Sequence, residues 1–159
     1  MSSPLPSFTL PVRREEDRFA CAAEGVRIAR WAGLPERAQQ ELAIAIAELV
    51  SNAVRHAGGG EIEVRAIHAP AGDPPSQSGT SSGKRTDRPR LGVEVIVRDS
   101  GPGLDPRFAT EEGANSLPPR LPGQGGLGIG LGAVHRLMSS VVIRSAPGVS
   151  TEIVAIKWG

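Results

Sequence analysis

A carboxylate and an amide stand four residues apart in the segment ELVSN, where they are Glu48 and Asn52. On a helix, this spacing puts both side chains on one face. The carboxylate could accept a proton or orient a nucleophile, and the amide oxygen could ligate a hard cation such as Mg²⁺. A solvated glutamate and an ordinary asparagine near a helix end have the same spacing, so the pair alone leaves both interpretations open.

A run of glycines precedes a second helical pattern. Five glycines fall within GGLGIGLG, residues 125–132. Backbone N–H groups near a helix N-terminus, unobstructed by Cβ atoms, form a site for phosphate. A hinge or close helix packing would use the same glycines, so those interpretations also stay open.

The same run suggests a dinucleotide-binding motif, because residues 128–133 fit the pattern G-x-G-x-x-A. That motif follows a strand directly and opens a βαβ unit. Here a Pro/Gly-rich loop precedes it and only 26 residues follow it, which disfavours a dehydrogenase. A P-loop is excluded because the chain has no G-x-x-x-x-G-K-[ST] motif.

The third candidate is the segment RDSGPGL. Asp99 ends an apolar strand pattern, and Gly101 and Gly103 flank a proline in a tight turn. A carboxylate at the end of a buried strand can accept a hydrogen bond from an exocyclic amine such as that of adenine. An Asp–Gly turn without any ligand is also common.

Helical patterns must position these residues. Apolar residues recur at three- and four-residue steps over about 14–33, with Phe19 among them, and again from Pro35 to the glycines at 58–60. A shorter helix is predicted over about 131–139. The second helix carries one apolar stripe, formed by Leu42, Ile46, Leu49 and Ala53.

Alternating patterns predict strands at SFTLP (ended by Pro11), EIEVRAI, LGVEVIVRD, VVIRSA and TEIVAIKW. Short turns or loops join most of them, so we expect an α+β two-layer sandwich, with a mixed, mainly antiparallel sheet and helices on one face. Two Pro/Gly-rich segments read as loops: 68–90 as a flexible insertion between strands, and 105–124 as a mobile loop. Trp31 and Trp158 are expected to be packing residues.

Length and composition narrow the class of protein. A chain of 159 residues is most simply one domain, and 18 basic against 17 acidic residues point to no nucleic-acid partner. Cys21 is the single cysteine, which fits a reducing cytosol. No run approaches the roughly 20 apolar residues of a membrane span. The sequence therefore predicts a cytoplasmic protein with no membrane partner.

Taken in order, ELVSN (48–52), DSGPG (99–103) and GLGIGL (126–131) resemble the asparagine box and the first two glycine boxes of the GHKL ATPases. This superfamily unites gyrase, a heat-shock chaperone, histidine kinases and MutL. GVSTE (148–152) resembles their terminal threonine box, and the likeness covers about 8–158. The compact glycine loop and the closing Lys-Trp are most similar to the RsbT-type serine/threonine switch kinases of bacterial anti-sigma regulation.

The resemblance implies a Bergerat ATPase fold over 1–159, with ATP and Mg²⁺ as cofactors. Glu48 would be the base or would orient the attacking hydroxyl, and Asn52 would ligate Mg²⁺. Asp99 would recognise adenine, with Gly101 and Gly103 beside the base. Residues 105–124 would form the lid over ATP.

The remaining cofactor-binding residues implied by the resemblance lie in the last two boxes. Gly126, Gly128 and Gly130 would approach the phosphates, in a loop that also contains Leu127, Ile129 and Leu131. Thr151 would support the adenine pocket. Arg55, near the phosphate end, could contact ATP or lie at the surface. Two features depart from the family: Ser150 replaces a usual glycine, and the 68–90 insertion is unusually long.

The implied activity is a protein serine/threonine kinase that phosphorylates a STAS-domain antagonist in a sigma-factor or stress pathway. It would then bind and activate a PP2C-type phosphatase. One alternative is an RsbW-type anti-sigma factor that binds a sigma factor directly. A non-catalytic nucleotide-binding scaffold is the other, and retention of both Glu48 and Asn52 argues against it.

Overall fold

The computed structural model describes residues 3–70, 89–101, 130–146 and 150–159. Within them the chain forms eight elements: β1 (Ser7–Val12), α1 (Asp17–Trp31), α2 (Glu36–Ala57), β2 (Gly60–His68), β3 (Leu91–Asp99), α3 (Gly130–Leu137), β4 (Ser140–Ala146) and β5 (Ser150–Trp158). The strand order is β1-β2-β3-β5-β4, and each of these pairings is antiparallel. The predicted α+β architecture is confirmed, with a described sheet that is antiparallel throughout rather than mixed.

One face of the sheet forms the core with the helices. Residues directly opposite each other on paired strands share a face, and three such pairs of β2 and β3 are buried: Ile62 with Val97, Val64 with Val95, and Ala66 with Val93. They belong to the same core cluster as the apolar stripe of α2. The other face is charged: Arg98 pairs there with Glu63 and Glu152. This division makes the two-layer sandwich.

Helix α2 begins and ends where its sequence indicates. Pro35 is the extended N-cap residue, and the helix closes at Gly58, whose φ of 72° is a left-handed conformation that glycine adopts without strain. The N–H groups of Gly58 and Gly59 bond the carbonyls of Val54 and Ala53, which satisfies the last turn. The ends of the most regular helix are thus fixed by local chemistry.

Helix α1 differs from the prediction in the face that it buries. Trp31 is 53% exposed, so the expectation that it is a packing residue is wrong, and Phe19, from the apolar pattern of this helix, is 65% exposed. The buried face consists of Cys21, Gly25, Ile28 and Ala29. Because three of these four residues are small, apolar spacing alone could not distinguish the core face from the outer face. Phe19 instead stacks under the Arg18 guanidinium, 4.7 Å from the ring centroid.

Two smaller expectations have different outcomes. Pro11 does not end the first strand but lies within β1, which is an edge strand of the described sheet, and an edge strand tolerates a residue without an N–H donor. Trp158 does pack: a Cβ on Gly92 would lie 2.3 Å from its ring.

None of the helices in the described ranges is long and apolar enough to cross a membrane.

The predicted insertion and lid fall mainly outside the described residues. At the ends of the insertion, His68 closes β2, and the Ala69 N–H bonds the Arg90 carbonyl at 2.8 Å. Residues 71–88 between them, and the whole of the lid segment 105–124, lie outside the described ranges.

Lys157 ties three elements together. From β5, its ammonium donates to the Glu41 carboxylate of α2 and to the Leu137 carbonyl at the C-terminus of α3. Arg37 also pairs with Glu41, but its side chain is 89% exposed. The hydrogen bonds from Lys157 and Arg37 hold the pKa of Glu41 below its ordinary value. The C-terminal end of α3 is therefore fixed to α2 through a mostly buried cation.

We expect Lys157→Met to lower the free energy of unfolding by about 1.5–3 kcal/mol, because a charged hydrogen-bond donor is lost from a mostly buried site. Arg37→Met is the matched control, and its effect should be much smaller because this partner of Glu41 is exposed. Urea unfolding at pH 7 measures both.

The same pair predicts a pH dependence. Glu41 has a depressed pKa when folded, so its contribution is present above the unfolded pKa of roughly 4.3 and is lost as the pH falls through the folded value. The stability difference between wild type and Lys157→Met should therefore shrink below about pH 4. A difference that stays constant from pH 7 to pH 3 would mean that packing, rather than the charge pair, explains it.

Candidate functional site

The C-terminal half of α2 carries a polar stripe. Glu48 is 1% exposed and Asn52 is 6% exposed, so neither is a solvated surface residue. Arg55 follows at the next helical step, with a side chain that is 18% exposed. Burial of a carboxylate is costly unless polar groups compensate it. This burial rules out the solvated alternative for both Glu48 and Asn52.

The start of α3 supplies one such polar group. The Gly130 N–H donates to Glu48 Oε2 at 3.0 Å, across 82 residues of sequence. Partial positive charge at a helix N-terminus stabilises a carboxylate. Gly130 has φ +65°, and no atom of the described residues lies within 4 Å of the position that a Cβ would occupy. The backbone at Gly130 is thus left-handed.

The next residue, Leu131, faces the interior. It is 5% exposed and belongs to the core cluster. Its side chain therefore anchors α3 in the core. The predicted loop residues Gly126, Leu127, Gly128 and Ile129, together with Gly103, lie outside the described residues.

A second group of predicted residues meets at the end of β3. Asp99 and Thr151 are direct partners across β3 and β5, so they share a face. Asp99 Oδ1 accepts the Gly101 N–H at 2.9 Å, which shapes the turn after the strand. Thr151 is buried, with its hydroxyl 3.5 Å from that of Ser145. Ser150, the departure from the family pattern, begins β5 opposite Ala146.

Gly101 joins this strand end to α2. A Cβ at Gly101 would lie 2.5 Å from the Cβ of Ala57, the last residue of α2. Only glycine lets the turn approach the helix so closely. Asp99 and Gly101 therefore lie beside the C-terminal end of α2, while Glu48 and Gly130 meet nine residues earlier along the same helix. The described candidate residues are thus distributed along the C-terminal half of α2.

Sequence reasoning missed one residue of this region and left a second undecided. Glu15, in the connection between β1 and α1, accepts hydrogen bonds from Ser51 Oγ at 2.8 Å and from Arg55 Nε at 2.9 Å. Burial opposes the ionisation of Glu15, yet these bonds hold its pKa below the ordinary value. The helical spacing of Arg55 from Glu48 could have placed it in the stripe. Nothing in the sequence indicates Glu15, which is 40 residues from Arg55.

This fold and these motifs define a class of protein. The chain belongs to the histidine kinase-like ATPase domain family, whose model matches residues 17–158. It is 32% identical over 148 residues to the serine/threonine-protein kinase RsbT of Bacillus subtilis (strain 168), and the alignment covers 92% of each chain. The resemblance to RsbT-type GHKL ATPases inferred from the sequence is confirmed.

The contact between Gly101 and Ala57 gives a prediction for this site. Gly101→Ala should lower the free energy of unfolding by about 1–3 kcal/mol, because the added methyl group overlaps the end of α2. The double variant Gly101→Ala/Ala57→Gly should recover part of that loss, since it removes the opposing methyl group. Thermal and urea unfolding of Gly101→Ala, Ala57→Gly and the double variant measures this. Strictly additive effects in the double variant would contradict the contact.

Proposed function

We propose that this protein is an ATP-dependent serine/threonine kinase that phosphorylates a STAS-domain antagonist in a bacterial partner-switching pathway. After transfer it would bind and activate a PP2C-type phosphatase. The observation that carries the proposal is the buried carboxylate of Glu48, which accepts a hydrogen bond from the first N–H of α3. Asn52 lies one helical turn later and is also buried. The relative named as a serine/threonine-protein kinase supports the same reaction class.

The described residues fit a nucleotide laid along α2. In this arrangement Asp99, Gly101 and Thr151 receive adenine, because a carboxylate beside a close-packed glycine turn accepts the exocyclic amine. The phosphates lie toward Gly130, whose Cβ-free backbone is at a helix N-terminus. Gly103 and the loop residues 126–129 are assigned to the same pocket from the motif alone.

Asn52 suits an Mg²⁺ ion shared with the phosphates. Magnesium is usually held by one or two protein oxygens together with phosphate oxygens and water, rather than by a complete protein cage. An amide oxygen on a mostly buried helix position provides such a ligand. When bound, the ion neutralises charge on the transferred phosphoryl group.

Glu48 is assigned two roles: it accepts the proton of the attacking hydroxyl, and it orients that hydroxyl. Phosphoryl transfer depends mainly on positioning and charge neutralisation. A carboxylate fixed by the Gly130 N–H is held in place before the substrate hydroxyl arrives. Arg55, whose Nη2 is buried without a hydrogen-bond partner among the described residues, is assigned to a phosphate oxygen.

Asp99→Asn should weaken ATP binding about ten- to a hundredfold, because a charged partner of adenine is lost while asparagine can still form the turn with Gly101. The preference of the wild type for ATP over GTP should fall as well. Asp17→Asn is the matched control: like Asp99, Asp17 accepts hydrogen bonds from backbone N–H groups, those of Arg13 and Arg14, but it does so at the start of α1. Calorimetry that gives equal ATP affinities for wild type and Asp99→Asn would remove Asp99 from the site.

The roles assigned to Glu48 and Asn52 predict different effects on ATP binding and on phosphoryl transfer. Glu48→Gln keeps an acceptor for the Gly130 N–H but loses the base, so ATP should still bind while transfer falls by roughly 10²–10⁴-fold. Asn52→Ala should abolish both transfer and Mg-dependent ATP binding. Gln40→Ala, an exposed amide on the same helix, is the control and should change neither.

The readout is ATP affinity together with phosphate incorporation into STAS proteins of the same genome. Transfer at the wild-type rate by Glu48→Gln would refute its catalytic role and favour a nucleotide-binding scaffold. Pull-down distinguishes the outputs: recovery of a phosphatase or a STAS protein supports the proposal, whereas recovery of a sigma factor supports an RsbW-type anti-sigma factor.

A further inference from the structure

Glu15 lies outside every motif that resembles the ATPase family, yet both of its carboxylate oxygens contact the C-terminal half of α2. Oε1 accepts from Arg55 Nε at 2.9 Å, and Oε2 accepts from Ser51 Oγ at 2.8 Å. Arg18, in α1, also pairs with Glu15: its Nη1 lies 3.4 Å from Oε2. The connection between β1 and α1 is thereby fixed to the polar stripe of α2.

This contact restrains the direction of the Arg55 side chain. A guanidinium has five N–H donors in a rigid plane, so fixing Nε also fixes where the remaining donors point. One of them, Nη2, is buried and has no hydrogen-bond partner within the described part of the chain. Buried donors are nearly always paired in folded proteins, which suggests that an acceptor arrives with a ligand.

The position of Arg55 identifies the chemistry of that acceptor. Arg55 is three residues after Asn52 and seven after Glu48, on the same face of α2. A planar guanidinium is suited to the oxygens of a phosphate group. An unanchored arginine at this position would adopt many rotamers, and it would lose that freedom each time a phosphate bound.

We propose that Glu15 is a positioning residue, which holds the Arg55 guanidinium so that its unpaired edge faces a phosphate oxygen of ATP. This inference rests on the proposed function, because ATP is the ligand that it invokes. Glu15 itself touches no nucleotide, and its effect on binding passes entirely through Arg55.

The alternative is that Glu15 only fastens the β1–α1 connection to α2. Ser51 makes the two roles separable, because its buried hydroxyl bonds the same carboxylate without involving the guanidinium. Loss of the Ser51 bond weakens the fastening alone. Loss of Glu15 removes both the fastening and the restraint on Arg55.

The experiment measures Mg-ATP affinity by calorimetry and melting temperature for the wild type, Glu15→Ala, Glu15→Gln, Ser51→Ala, Arg55→Ala and Glu15→Ala/Arg55→Ala. Glu15→Ala should weaken ATP binding about tenfold, the loss of one charge-assisted contact. Glu15→Gln should recover most of the affinity, because its amide oxygen can accept from Arg55 Nε. Ser51→Ala should lower the melting temperature and leave ATP affinity unchanged.

The double variant gives the sharpest test. In the Arg55→Ala background, Glu15→Ala should weaken ATP binding no further, because the side chain that it positions is gone. A further loss there, or a Glu15→Ala protein that binds ATP like the wild type, would overturn the inference and leave the proposed kinase intact. A wild-type protein that binds no Mg-ATP would overturn both.

Discussion

The structure depends on the burial of one carboxylate. Glu48 is removed from water at the margin of the core, where an ionisable group requires polar partners. One of these is the first N–H of α3, which must therefore reach α2 at a defined point. Gly130 makes that approach possible because it adopts φ +65° at the helix start. A residue with a side chain would be strained there.

The other end of α3 obeys a matching constraint. Its last carbonyl is bonded by Lys157, which also pairs with Glu41. Glu41 and Glu48 are seven residues apart on α2, about 10 Å along the axis, and the eight residues of α3 span about 12 Å. Two carboxylates of one helix thus fix both ends of another, and the two helices run antiparallel. The candidate site lies beside these two helices.

The remaining parts of the site are held by close approach rather than by charge. Gly101 lets the turn after β3 touch the end of α2, and the pairing of Asp99 with Thr151 places the start of β5 beside the end of β3. Strand ends, a helix C-terminus and a helix N-terminus therefore meet along α2. Such a meeting point brings rigid elements and backbone polar groups together at the candidate site.

Local sequence was sufficient to predict the helices and strands and the order of the motifs. The stripe of α2 and its glycine end, the alternation of the strands and the position of Asp99 at a strand end depend on neighbouring residues, and periodicity expresses them directly. The ATPase family could be inferred for the same reason, since its boxes are short and contiguous.

Tertiary structure alone decided the rest. It buried Glu48 against Gly130, turned Phe19 and Trp31 outward, and joined Glu15 to Arg55. The first and last of these contacts link residues 82 and 40 positions apart, a separation that no local pattern encodes. The exposure of Phe19 follows from the small residues of α1, Cys21, Gly25 and Ala29, which pack closely enough to be the core face although they carry little hydrophobic signal.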